Sequence, residues 1–209
     1  MFITFEGGEG TGKSTQVQLL LRKLSENGIV SIATREPGGT PQGEALRNLL
    51  VNGDIASWTP VGEALLNYAA RQEHLERFIR PALIDRKTVV CDRFMDSTRA
   101  YQQYAGGCGA SLIDSLESTI VGATRPDLTF VFDLDPIVGL QRAKGRGSPA
   151  EDRFERKGLD FHRKLRAGFM QIARGDPKRC RIVDASQPVN DVFTAIWQDV
   201  EVFFHARRQ

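Results

Sequence analysis

The sequence predicts an α/β fold in three layers, a five-stranded parallel sheet flanked by helices. Three observations lead there. Short apolar, β-rich runs alternate with stretches of helical periodicity. The runs end in polar or glycine residues, as strands do when ligands gather beyond their carboxyl ends. At 209 residues the chain is long enough for one sizeable core without a clear linker or internal repeat.

The first strand is Met1 to Phe5, and Gly7-Gly-Glu-Gly-Thr-Gly-Lys-Ser14 follows it directly. This is G-x-x-x-x-G-K-[ST] between a strand and a helix, the context in which a P-loop cradles phosphate. Glycines turn backbone N–H groups inward, and the helix N-terminus adds a favourable dipole. The candidate ATP-binding residues are therefore Gly7, Gly8, Glu9, Gly10, Thr11, Gly12, Lys13, Ser14 and Thr15, with Lys13 on the β- and γ-phosphates and the Ser14 hydroxyl on Mg²⁺. Val17, Leu20, Leu21 and Leu24 then repeat at helical spacing up to Asn27-Gly28, a C-cap signal.

Val30 to Thr34 is the second strand and ends at Arg35-Glu-Pro-Gly-Gly39. Val61, Ala64, Leu65 and Tyr68 share a helical face that resumes at Leu75, Phe78 and Ile79 before Pro81. Thr88 to Cys91 leads into Asp92-Arg93, Leu112, Leu116 and Ile120 mark another helix, and Leu128 to Phe132 ends at Asp133. Pro136 to Gln141 is helical until Gly145, Gly147 and Pro149 break the pattern. Arg181 to Val183 ends at Asp184, and Val192, Phe193, Ile196, Val200 and Phe203 mark the last helix.

Composition narrows the function. Lysine and arginine total 28 against 26 acids, a net charge of +2, which gives no general attraction for a nucleic-acid polymer or a membrane. No apolar stretch is long enough to span a bilayer, and the chain opens on a strand without a signal-peptide pattern. Cys91, Cys108 and Cys180 are odd in number and widely spaced, as reduced thiols of a cytoplasmic protein would be.

The P-loop alone says nucleotide. No Asn-Lys-x-Asp for guanine is present, and the third strand ends in Asp92-Arg93 where motor ATPases place Asp-Glu. Asp92 can hold Mg²⁺ or its waters, and Arg93 suggests a second anionic substrate; a helix cap with a surface ion pair is the plainer alternative. Moving a phosphoryl group between two anions requires added positive charge. Arg35, Arg71, Arg93 and the segment Arg142-Ala-Lys144-Gly-Arg146-Gly147 offer it. That last segment suits a lid over the transferring phosphate, or equally a solvated basic loop.

These stretches together resemble bacterial thymidylate kinases over nearly the whole chain. The resemblance rests on Phe5 to Ser14, Arg35-Glu-Pro-Gly-Gly-Thr40, Ala69-Ala-Arg71, Cys91-Asp-Arg-Phe94, Ser97-Thr98, Ala100-Tyr-Gln102, Arg125-Pro-Asp-Leu128, Arg142 to Gly147, Asp152-Arg-Phe-Glu155 and Asp184 to Pro188. It implies one P-loop nucleoside monophosphate kinase domain over 1–209 with a lid at about 142–153. It also implies transfer of the ATP γ-phosphate to dTMP with Mg²⁺, for dTTP synthesis, in a cytoplasmic homodimer.

Residue by residue, the resemblance puts Glu9 near the deoxyribose 3′-hydroxyl, Arg71 on the thymine carbonyl, and Arg93 on the dTMP phosphate with Arg35, Glu36 and Pro37 beside it. Thr98 reaches the base edge, Gln102 borders the same pocket, and Ser97 belongs to the dTMP-binding set as well. Tyr101 fills the space of a ribose 2′-hydroxyl, although plain packing also suits a helical aromatic there. In this family the transition-state charge is met either by a P-loop arginine or by lid residues. Position 10 is glycine, so the chain resembles the lid-arginine type, with Arg146 on the transferring group and Arg142 nearer the adenine. One departure is Asn67, where the family commonly stacks a phenylalanine on the base; Tyr68 is next to it, either in the pocket or on the core stripe.

Overall fold

The structure, a computed structural model, describes residues 1–145 and 153–206. Strands β1 (Phe2–Gly7), β2 (Ser31–Arg35), β3 (Thr88–Asp92), β4 (Leu128–Asp133) and β5 (Cys180–Asp184) form one sheet in the order β2-β3-β1-β4-β5. Every pairing is parallel. The chain leaves β1 in one direction to reach β3 and in the other to reach β4. The crevice at such a reversal, beyond the carboxyl ends, is where an open α/β sheet binds ligand.

Successive strand residues point to opposite faces, and this divides the core. Ile3, Phe5, Val90, Phe130 and Phe132 pack with Val17, Leu20 and Leu24 of α1 (Lys13–Glu26) and with Val192, Ile196 and Val200 of α9 (Val189–Ala206). Phe2, Val89 and Cys91 face the other way. There they meet Ala64 and Tyr68 of α3 (Pro60–His74), the π-helical turn Leu75–Ile79, α4 (Arg80–Ile84) and α6 (Ala110–Leu116) with its π-helical extension Glu117–Val121. Thr4 and Thr129, polar yet fully buried, satisfy each other at 2.7 Å between β1 and β4.

All five predicted strands are present. Two helices had no predicted counterpart. In α2 (Pro41–Val51), Thr40 caps the first turn by accepting from Gly43 N–H, and Pro41 occupies the first helical position. In α8 (Leu159–Gly175), Leu165, Phe169 and Ile172 supply the inward stripe that covers Val131. Between them, α5 (Met95–Thr98) continues as a π-helical stretch Arg99–Ala105, and α7 (Pro136–Lys144) follows β4. No helix of the described residues is long and apolar enough to cross a membrane.

Candidate active site

The loop after β1 enters α1 through Gly12 in a left-handed conformation (φ 88°), and no side chain caps the helix. The first N–H groups of α1 are thus left for an anion. The loop is tightly seated. A Cβ at Gly7 would lie 2.8 Å from the Phe132 carbonyl, and one at Gly10 only 2.0 Å from that of Gly139 on α7. A side chain at position 10 would therefore strike the backbone of α7.

Lys13 is buried and folded back, donating to the carbonyls of Gly7 (3.2 Å) and Gly8 (2.8 Å) and to Thr11 Oγ1 (3.2 Å). Desolvation, with Arg93 adding to it, lowers its pKa to about 8 against the partial support of Asp92 and Glu9. Ser14 Oγ donates to Asp92 Oδ2 at 2.6 Å. A hydroxyl and a carboxylate side by side at the phosphate end are hard oxygen donors of the kind Mg²⁺ takes together with substrate phosphates and water. No group of three or more His, Cys, Asp or Glu among the described residues could hold a metal by itself.

Arg93 stands at the end of β3 with φ 68°, a left-handed conformation uncommon for a side-chain-bearing residue. Its N–H bonds Phe5 O at 2.8 Å and its carbonyl accepts from the Cys91 thiol at 2.9 Å, which hold the turn. The guanidinium donates to Gly7 O (2.7 Å), Ser97 Oγ (3.3 Å) and both Glu9 oxygens (3.2 Å each). Burial opposes its charge, but Tyr101 and Glu9 prevail and raise its pKa above the ordinary value. Burial would likewise raise the Glu9 pKa, yet Arg93, Lys13 and the Tyr101 hydroxyl, which donates to Glu9, bring it down to about 2. Beneath them Glu6 accepts from Phe94 N–H (2.8 Å) and Ser97 Oγ (2.5 Å). Its pKa rises to about 7, from burial first and from nearby Asp96 second.

Arg71 is 1% exposed. Its Nε bonds Glu36 at 2.8 Å, Nη2 bonds Phe94 O and Thr98 Oγ1 at 2.9 Å each, and Nη1 has no partner among the described residues. It borders a cavity of about 110 Å³ also lined by Glu9, Glu36, Pro37, Arg47, Leu50, Val51, Asn67, Arg93, Phe94, Ser97, Thr98, Tyr101, Gln102, Phe154 and Glu155. A phosphate cleft of about 370 Å³ adjoins it, lined by residues 9–14 with Arg35, Glu36, Arg47, Asp92, Arg93, Ala143 and Glu155. Beyond the P-loop a third opening of about 540 Å³ is bordered by Thr15, Gln16, Arg142 and the segment 185–189. Arg142 donates there to Ala185 O at 3.0 Å. The cavity shares Glu9, Glu36, Arg47, Arg93 and Glu155 with the cleft, and the cleft shares Gly10, Thr11 and Gly12 with the third opening.

The cavity brings together Glu9, Glu36, Pro37, Arg71, Arg93, Ser97, Thr98, Tyr101 and Gln102 of the candidate residues. Arg35 lies in the cleft, ion-paired with Glu44 at 2.9 Å and about half exposed. Tyr68 is a correction. Its ring is buried in the core with the Arg71 guanidinium 4.7 Å from the ring centre, and it does not line the cavity. Neighbouring helical positions diverge by about 100°, so Asn67 takes the cavity side and Tyr68 the sheet side. Tyr101 combines both of its readings, since it borders the cavity yet packs edge-on against Phe154 at 5.4 Å and Phe169 at 6.2 Å. Arg146 lies outside the described residues, as does most of the expected lid.

Three contributors were missed. Arg47 and Phe94 line the cavity, the first because α2 was not foreseen, the second although it belongs to the Asp-Arg-Phe stretch. Glu63, 1% exposed, accepts from Gln102 (2.9 Å), Arg153 (2.7 Å) and Lys157 (2.7 Å) and so ties Gln102 of the cavity to residues 153–157. No local signal marks it, because its partners lie 39 to 94 positions away.

Comparison with known proteins settles the family. The model for thymidylate kinase matches residues 5–196. The chain belongs to the thymidylate kinase family. A thymidylate kinase of Caulobacter vibrioides is 55% identical over 96% of this chain and 95% of its own length. One from Magnetococcus marinus is 48% identical over 96% and 95%. The crystal structure of thymidylate kinase from Ehrlichia chaffeensis superposes with a TM-score of 0.76 at 37% identity, covering 96% of this chain and 98% of that one. This thymidylate kinase family member thus shares both its sequence and its P-loop α/β fold with bacterial relatives.

Proposed function

We propose that this chain transfers the γ-phosphoryl group of ATP to dTMP, giving dTDP and ADP for dTTP synthesis. The observation that carries the reading is the wall common to cleft and cavity, where Glu9, Glu36, Arg47 and Arg93 face both. Two unit charges about 4 Å apart repel by about 4 kcal/mol at an effective dielectric of 20. Fixed cations between the two anions therefore remove a barrier that binding alone would leave.

ATP lies with its base toward Arg142 and the segment 185–189, its phosphates on the open N–H groups of the P-loop, and Lys13 turned from its carbonyl partners onto the β/γ oxygens. A dTMP phosphate oxygen attacks the γ-phosphorus; the bond to the β-phosphate oxygen breaks, and its electrons leave on ADP. The acceptor is already ionised at neutral pH, so no side chain is needed as base, and catalysis is positioning and charge neutralisation. Arg93 clamps the acceptor phosphate with Arg35 and Arg47 beside it. Glu9 accepts from the 3′-hydroxyl, Arg71 Nη1 donates to the thymine carbonyl with Thr98 and Gln102 near the base edge, and Tyr101 bars a 2′-hydroxyl. Ser14 and Asp92 would hold Mg²⁺, which when bound would offset negative charge on the phosphates. Arg146 supplies charge to the transferring group.

The enzyme works as a homodimer; Val61 and Leu65, one turn apart on α3, remain 43% and 48% exposed and would be covered by a second copy. A coupled ADP-release assay across dTMP, dUMP, UMP, dCMP, AMP and GMP tests the assignment. The maximum is expected on dTMP. A maximum on AMP or GMP would make this a different nucleotide kinase, and transfer to none would make it an ATP-binding module.

A further inference from the structure

Arg71 presents a single free donor to the base because its other contacts are held from behind, and the holding chain starts at a fully buried histidine. We propose that His74 is a positioning residue for recognition of the acceptor base, acting through Glu36 on Arg71; this rests on the acceptor site described above.

His74 ends α3 at 0% exposure. Its Nδ1 lies 2.9 Å from Glu36 Oε1 and its Nε2 2.6 Å from Thr34 Oγ1. The second Glu36 oxygen accepts from Arg71 Nε at 2.8 Å. Each carboxylate oxygen is thus taken by one partner. A carboxylate only accepts, so Nδ1 carries the ring proton, and in the neutral ring the Nε2 lone pair accepts from the Thr34 hydroxyl. The loop after β2 is built around this imidazole. A Cβ at Gly39 would lie 2.4 Å from Nε2 and 2.8 Å from Thr34 Oγ1, and Phe78 flanks the ring at 5.7 Å.

The chain of bonds has a directional consequence. Nη2 of Arg71 is fixed by Phe94 O and Thr98, Nε by Glu36, and only Nη1 is left for a ligand. Glu36 also borders the phosphate cleft. Without its bond from His74, its carboxylate is free to rotate toward the cations meant for the acceptor phosphate, and Arg71 loses the anchor that sets its plane. His74 therefore keeps one negative charge on the base side of the site and away from the phosphate side.

The test separates positioning from packing. His74→Leu removes the donor; His74→Asn keeps an N–H near the Nδ1 position. For His74→Leu, KM for dTMP is expected to rise about tenfold or more, the loss of one charge-assisted hydrogen bond. Its kcat and KM for ATP stay within about threefold, and His74→Asn returns KM for dTMP most of the way to wild type. If His74→Leu does not fold, Thr34→Val provides the second variant, with a smaller rise of the same sign. Nitrogen-15 NMR of the resting protein should show His74 protonated at Nδ1. An unchanged KM for dTMP, an equal loss in kcat and KM for ATP, no recovery in His74→Asn, or a ring protonated only at Nε2 overturns the proposal. Wild-type protein inactive on dTMP would instead overturn the function, and the NMR result would still decide the bond to Glu36.

Discussion

Arg153→Met is the sharpest test of how the acceptor cavity is braced. Arg153 is fully buried and donates to the carbonyls of Leu50 (2.9 Å), Asp54 (2.9 Å) and Ile55 (3.0 Å) as well as to Glu63 (2.7 Å). Methionine fills similar length but donates nothing. Removing one partner of a buried ion pair costs about 3–5 kcal/mol. Glu63 keeps Lys157 and Gln102, and the Asp54 and Ile55 carbonyls lie in an exposed turn open to water, so the lower end, about 3 kcal/mol, applies. For a chain of this length each kcal/mol shifts Tm by about 2–4 °C, so a fall of about 6–12 °C is expected by thermal unfolding. KM for dTMP should rise as well, because Glu63 no longer holds Gln102 from a fixed position. In a double-mutant cycle, Glu63→Leu with Arg153→Met should cost about 0.5–3 kcal/mol less than the two separate losses added. A Tm within about 2 °C of wild type, or strict additivity, would refute the bracing role.

Other outcomes follow from the site. With Lys13 at about pKa 8 in the free protein, ATP binds its charged form and raises that value; ATP affinity should weaken as pH rises above 8, by up to about tenfold per unit. Calorimetry at pH 8 in buffers of different ionisation enthalpy should then show proton uptake, and no uptake would reject the assignment. Tyr101→Phe should keep dTMP selectivity at some cost in sugar binding, while Tyr101→Ala should admit UMP; equal UMP turnover in both variants would remove steric exclusion as the cause. Arg146→Ala should lower kcat by about 10³ or more with KM for dTMP little changed, measured at saturating ATP, and an unaltered kcat would reject the residue as the transition-state cation.

Contiguity governed what the sequence disclosed. The P-loop, the Asp92-Arg93 turn and the strands are runs of neighbours whose chemistry is complete within a few residues. Arg71 was placed by the Ala69-Ala-Arg71 stretch, but its aim depends on Glu36 and on Phe94 and Thr98, which the chain brings from two other places. The helix α2 had a visible signal in Thr40-Pro41, and α8 had one in Leu165, Phe169 and Ile172. Both follow glycine-rich stretches whose breaker character masked the periodicity. Tyr68 shows the limit of pattern alone, since an apolar stripe and a ligand-facing position differ by a single helical step. Glu63 and His74 act through partners far along the chain and become visible only in three dimensions.

The close approach of Gly10 to Gly139 constrains how such an enzyme could change over evolution. A side chain at either position would strike backbone, not a pliable neighbour, because a Cβ at Gly139 would meet the Glu9 carbonyl at 2.5 Å. A single substitution therefore cannot convert this chain to the type that carries its own arginine beside the nucleotide. α7 would have to retreat first, and the intermediate would lose the packing that seats the loop.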